Sequence, residues 1–250
     1  MSEVALTEGD VIQHIVTFGI DVYPPVEIPK ERTRLNIFYE EARSRHGDLF
    51  DQLVASDTTF RISREFRPQG PLGDPALRQE TFALTNRGPV FIFPVRFPDP
   101  VGATGINEDP RERFETVRRL FFSAIAERKI MRIGMVRDLI FDTGEDPCRS
   151  VLSGKAEFAG AQLVGGSRLL SYRDAYCNLR IAVEPGAMLK TTKLPVGTEV
   201  TERRSYGLRV QLDVYNLQVK PLEDADIQQV LERATSLWPE KLLQYLQERS

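Results

Sequence analysis

Between Ile12 and Val22 the apolar side chains fall on every second position, and this period limits the fold more than any other feature of the chain. Ile12, Val16, Phe18, Ile20 and Val22 share one face, with His14 placed among them. Period two is the mark of a half-buried strand, and Pro24, Pro25 and Pro29 end it. The same alternation returns in Thr58–Phe66 through Phe60, Ile62 and Phe66, and in Met131–Phe141 through Ile133, Met135, Leu139 and Phe141. It appears again in Ala175–Val183 through Cys177, Leu179, Ile181 and Val183. Glu80–Thr85 and Val90–Phe97 flank Asn86-Arg87-Gly88-Pro89, which reads as a hairpin turn. Val90 to Phe93 is continuously apolar, which predicts an interior strand covered on both faces.

Helical spacing takes over between these strands. Leu35, Phe38, Ala42, Leu49 and Leu53 predict a helix over Lys30–Ala55, with Gly47 as a kink or break. A second helix opens on Asp109 as cap with Pro110 in its first turn. It carries Phe114, Val117, Phe121, Ala124 and Ile125 on one stripe and Arg128 and Lys129 in its last turn. A third spans Asp224–Glu248 through Ile227, Val230, Ala234, Leu237, Leu242 and Tyr245, kinked or divided at Pro239. Asp142–Arg173 is less regular, with short strands around Ala156–Val164 and a turn at Gly165-Gly166. Glu184–Ser205 reads as a long polar connection, and Gly207–Val219 as a strand with a bulge near Val214 and Tyr215.

Hairpin-linked strands interrupted by helices predict an α+β fold: a mostly antiparallel sheet with helices packed on one face, ferredoxin-like β-α-β-β units being one arrangement of it. The expected organisation is one domain over residues 1–250, with a sub-division near 142–150.

Composition narrows the function. The formal net charge is -3, without the basic excess of a dedicated nucleic-acid binder. No apolar run reaches the ~20 residues of a membrane helix, and no signal-peptide pattern opens the chain, so the expected location is the cytoplasm. Cys148, Cys177, His14 and His46 give no zinc-ligand spacing. Gly154-Lys155 lacks a P-loop's earlier glycine and following hydroxyl, because Arg149 and Ala156 stand there. Gly165-Gly166-Ser167-Arg168-Leu169 lacks the last glycine of a nucleophile elbow, and both histidines lie upstream. No cofactor is expected.

Three constellations remain. His14, Arg64 and Arg137 each interrupt an apolar strand face, and buried polar groups need partners or a cavity, so the three form a candidate binding pocket. Asp138, Asp142, Glu145 and Asp146 cluster as carboxylates that a divalent metal could use, or as a solvated turn. Arg61, Arg67, Arg111, Arg118 and Arg119 make a candidate nucleic-acid stripe, against which Glu112, Glu115 and Glu127 offer ordinary helix-surface pairing.

Arg132-Ile133-Gly134-Met135 resembles the first half of the strand motif Arg-x-Gly-Leu-Arg-Tyr-x-Asn of a sporadically distributed prokaryotic family of similar length with no assigned function. Val136, Arg137 and Leu139 depart from its second half, while Leu212-Asp213-Val214 is similar to its late hydrophobic-acidic strand. The resemblance implies an α+β fold, a mobile-element or defence setting, and no activity. The leading expectation is a non-catalytic binding or assembly protein acting in an oligomer or with a protein partner. A nucleic-acid-binding or processing protein, and a small-molecule enzyme or sensor, are the alternatives.

Overall fold

The computed structural model describes residues 6–45, 52–65, 79–96, 110–125, 127–143, 157–158, 161–162, 167–193 and 199–247. After a short 3-10 turn at Glu8–Asp10, β1 (Val11–Tyr23) leads into α1 (Ile28–Arg45). Four strands follow: β2 (Gln52–Ala55), β3 (Phe60–Glu65), β4 (Gln79–Leu84) and β5 (Pro89–Arg96). Then come α2 (Pro110–Ala124), β6 (Lys129–Asp142), and the two-residue strands β7 (Glu157–Phe158) and β8 (Ala161–Gln162). The chain continues through β9 (Arg168–Arg173), β10 (Cys177–Lys193), β11 (Glu199–Asn216), α3 (Asp224–Thr235) and α4 (Glu240–Gln247).

Nine described strands form one sheet in the order β2-β3-β4-β5-β1-β6-β11-β10-β9, and β7 pairs with β8 in a separate two-stranded sheet. Every described ladder is antiparallel. The α+β reading therefore holds, while the described pairings do not confirm ferredoxin-like units, which contain a parallel neighbour pair. The helices cover one side. Phe18 of β1 stacks on Phe114 of α2 at 4.3 Å, Phe38 of α1 meets Phe82 of β4 at 5.0 Å, and Trp238 after α3 meets Phe141 of β6 at 6.4 Å. One continuous apolar core joins the inward strand residues to all four helices. No described helix is long and apolar enough to cross a membrane.

Several expectations are corrected. Residues 52–55 are an edge strand, so Leu53 does not continue the α1 stripe. Leu53 sits opposite Ile62 of β3, and the β ladder overrides its helical spacing. In β1 the inward residue at the start is Val11, not Ile12, because Ile12 is an extra residue in the ladder to β6, between Val11 and Gln13, and moves the pleat by one residue. Helix α2 ends at Ala124, leaving Arg128 beyond it and Lys129 as the first residue of β6. Much of Glu184–Ser205 is not a loop: β10 and β11 run on through it as a long hairpin. Alternation in β11 is unbroken from Leu208 to Val214, and the shift lies instead at Met188/Leu189. Val90 and Ile92 of β5 are half-buried, whereas Phe91 and Phe93 are buried under the helices. Pro239 does divide the last helix, into α3 and α4. Gly47, Leu49, Phe66, Asp109, Gly154, Lys155, Gly165 and Gly166 lie outside the described residues.

The β4–β5 turn shows how one local choice serves the sheet. Gly88 has φ +152°, and its carbonyl accepts from the Thr85 amide at 2.9 Å and the Thr85 hydroxyl at 2.8 Å. A Cβ here would stand 2.2 Å from the Ile20 carbonyl oxygen of β1. Gly88→Ala is therefore expected to cost at least ~1–3 kcal/mol in strained backbone alone, read as a lowered urea midpoint; an unchanged midpoint would contradict this turn geometry.

Candidate functional site

His14 and Arg137 do converge. They lie on neighbouring strands β1 and β6, 123 positions apart, with Arg137 Nη1 3.0 Å from His14 Nε2. A guanidinium can only donate, so Nε2 accepts and the imidazole proton sits on Nδ1. The Trp238 ring covers the imidazole at 5.4 Å, and both polar residues are buried. The pair thus bonds the sheet centre beneath the α3–α4 turn. Arg64 does not join them. It lies on β3 opposite Glu80, with β4 and β5 between it and β1. The three-residue pocket is corrected to a buried pair plus a distant arginine, because strand parity fixes the face but not which strands are neighbours.

The candidate nucleic-acid arginines are dispersed. Arg111 donates to Gln228 of α3 at 2.5 Å, and Arg118 donates to Glu115 at 2.8 Å and Asp224 at 3.2 Å. These two arginines fasten α2 to α3. Arg119 is exposed on the helix layer, and Arg61 is exposed on the opposite side of the sheet, out of phase with buried Phe60 and Ile62. Arg67 lies outside the described residues. No single stripe results from the placed four.

The carboxylate group is likewise divided. Asp138 accepts from Arg209 Nε at 2.9 Å and Nη2 at 2.6 Å, and from Gln211 at 3.3 Å. This two-pronged bond raises the Arg209 pKa and occupies both oxygens of Asp138. Asp142 is exposed at the end of β6, and Glu145 and Asp146 lie outside the described residues. Among the described residues no group of three or more His, Cys, Asp or Glu could hold a metal ion.

Beside these, the helix-free face carries a mixed cluster. Arg132 lies 4.3 Å and Arg180 5.5 Å from the centre of the Tyr215 ring. Burial raises the Asp213 pKa, and the charges of Arg132 and Arg180 partly offset that rise. Gly134 belongs to this packing, since a Cβ there would meet Tyr215 Cβ at 3.2 Å. The glycine of the family-like strand Arg132–Met135 thus has a steric reason in this chain. Asn216 closes the same region, accepting from the Ile133 amide at 2.9 Å and donating to the Gln218 carbonyl.

Among the described residues, a cavity open on one side lies at the β9 end of the sheet, under α3 and α4, with a volume of about 400 Å³. That is within the size range of small-molecule sites. Leu179 and Ile181 of β10, Leu212 of β11, and Leu237 and Leu242 make its apolar walls. At the rim the Tyr172 and Tyr245 hydroxyls are 2.9 Å apart, with their rings edge to face at 6.1 Å. Four charged residues also line it: Arg173, Asp174, Arg233 and Lys241. Asp174 accepts from the Tyr176 and Cys177 amides at 2.9 and 2.7 Å and from Arg233 Nε at 2.7 Å. Partial burial acts to raise its pKa, but the two amides and Arg233 together hold it below the ordinary carboxylate value. Cys177 behind this turn is buried, and burial followed by the Asp174 charge pushes its thiol up to about 11, so it is a poor nucleophile.

Sequence reasoning missed this cavity. Its apolar walls are ordinary inward strand and helix positions, and Asp174, Arg233 and Lys241 read as surface charges. The one available signal was the pair of tyrosines at Tyr172 and Tyr245, which are 73 positions apart and meet only through the fold.

Fold and sites together define an α+β protein built on a nine-stranded antiparallel sheet, with helices on one face and a small apolar cavity at one end. The chain matches no family model, no curated protein and no solved structure.

Proposed function

We propose that this chain is a non-catalytic binding and assembly protein, and that it self-associates by pairing the β2 edge of one copy with the β2 edge of another. The observation behind this is the edge strand itself. Among the described residues Gln52–Ala55 is the outermost strand of the sheet, all four residues are exposed, and none carries a charge. Sheet edges expose unpaired amides and carbonyls and are commonly guarded by charge, proline or a bulge. The opposite edge strand, β9, has such guards in Arg168 and Arg173 at its two ends. A centred antiparallel pair of β9 strands would set these arginines against each other. A centred β2 pair instead sets Leu53 beside Val54 twice about a twofold axis, and these side chains are 36% and 55% exposed. The four-residue ladder is short, so the association is weak and depends on concentration.

Light scattering over a dilution series tests the reading. The mass is expected to rise from monomer towards dimer with concentration, and Val54→Lys is expected to hold it at monomer while leaving the melting temperature unchanged. A native chain that stays monomeric at every concentration overturns the proposal, as does a dimer indifferent to Val54→Lys.

A further inference from the structure

We propose that the cavity under α3 and α4 is a binding site for a small amphipathic organic anion, an aliphatic or aromatic monocarboxylate. It is a separate site from the assembly edge, at the other end of the sheet.

The shape and lining set the apolar half of the ligand. Leu179, Ile181 and Leu212 present carbon from the sheet, and Leu242 presents it from α4, around about 400 Å³ of space. An apolar body gains by leaving water for such a lining. The sign of the polar half follows from counting which charges are already committed. Both carboxylate oxygens of Asp174 are occupied, Oδ1 by two amides and Oδ2 by Arg233. The site therefore offers no uncommitted carboxylate to a cationic ligand. Arg233 is neutralised by the same contact. Lys241 and Arg173 also line the cavity, and among the described residues neither has an ion-pair partner, Arg173 Nε donating to the neutral Asn178 Oδ1. Two cations without a carboxylate partner, Arg173 and Lys241, beside an apolar chamber select a negatively charged head on an apolar body. A ligand charged along its whole length would lose its hydration against leucines.

The test uses the full chain and 8-anilinonaphthalene-1-sulfonate as a fluorescent amphipathic anion, displaced by octanoate, octanol or octylamine. Octanoate is expected to displace it best and octylamine worst. Lys241→Glu is expected to weaken octanoate by roughly tenfold or more while changing octanol little, because only the charged head loses its partner. Ile181→Phe fills the chamber and is expected to remove octanoate and octanol alike. Should that variant fold poorly, Leu242→Phe fills the cavity from the helix side, and circular dichroism identifies which variant is folded. Equal displacement by octanoate and octylamine, or octanoate binding unaltered by Lys241→Glu, overturns the proposal. Both results are independent of Val54→Lys, so the failure of either proposal leaves the other to stand on its own measurement.

Discussion

Phe82→Ala is expected to lower the unfolding free energy by about 3–5 kcal/mol. Phe82 is fully buried on β4, and its ring lies 5.0 Å from Phe38, 6.2 Å from Phe60, 5.0 Å from Phe91 and 5.3 Å from Phe121. Those four rings come from α1, β3, β5 and α2, so the hole left by alanine is bounded by four separate elements. None can move inward without drawing its own element off the sheet, so the cavity stays open and its lining loses dispersion contacts. Phe82→Leu keeps most of the volume and should cost clearly less. Urea unfolding followed by circular dichroism reads both variants. A loss under ~1 kcal/mol for the alanine variant would mean the site collapses freely, against the packing described here.

Arg113→Ala is expected to cost a similar ~3–5 kcal/mol, for an electrostatic reason. Arg113 of α2 pairs with Glu80 of β4, and the two side chains are 9% and 2% exposed. Truncating the arginine leaves a carboxylate with little access to water beneath the helix. The cost is mostly that of a buried charge losing this partner, not the net worth of the pair. Adding Glu80→Gln to Arg113→Ala removes the charge and should recover part of the loss, which a double-mutant cycle measures. If the double variant is less stable than Arg113→Ala alone, the buried Glu80 charge is not the cause. The pair also ties α2 to the sheet beside Phe114, so both substitutions probe the attachment of one helix.

The polar site residues show where reading the chain succeeds and where it stops. His14 and Arg137 stand out because each interrupts a period-two apolar run, and burial forces such groups to find a partner. They found each other. Arg64 carries the same signal on β3, yet β4 and β5 separate it from β1. Arg111 and Arg118 look like a surface stripe on α2 when α3 is not in view; with α3 beside them they are cross-links. The β9-end cavity has no such local signal, since Lys241 becomes notable only when Asp174 and Arg233 are seen to be committed to each other.

By itself the sequence determined what depends on neighbours within a few residues. Alternation set the inward faces of β1, β6 and β10, helical spacing set the buried stripe of α2, Gly88 set the β4–β5 turn, and Pro239 divided the last helix. These follow from side-chain direction and backbone sterics, which are local. Only the tertiary structure decided that β1 lies between β5 and β6, that Leu53 belongs to an edge strand, and that β10 and β11 continue as a hairpin through a polar stretch. It also decided that Tyr172 meets Tyr245 at the mouth of a cavity. Strand pairing and cavity formation are set by which distant surfaces bury one another, and the energy of that choice is spread over contacts that no short window of the chain contains.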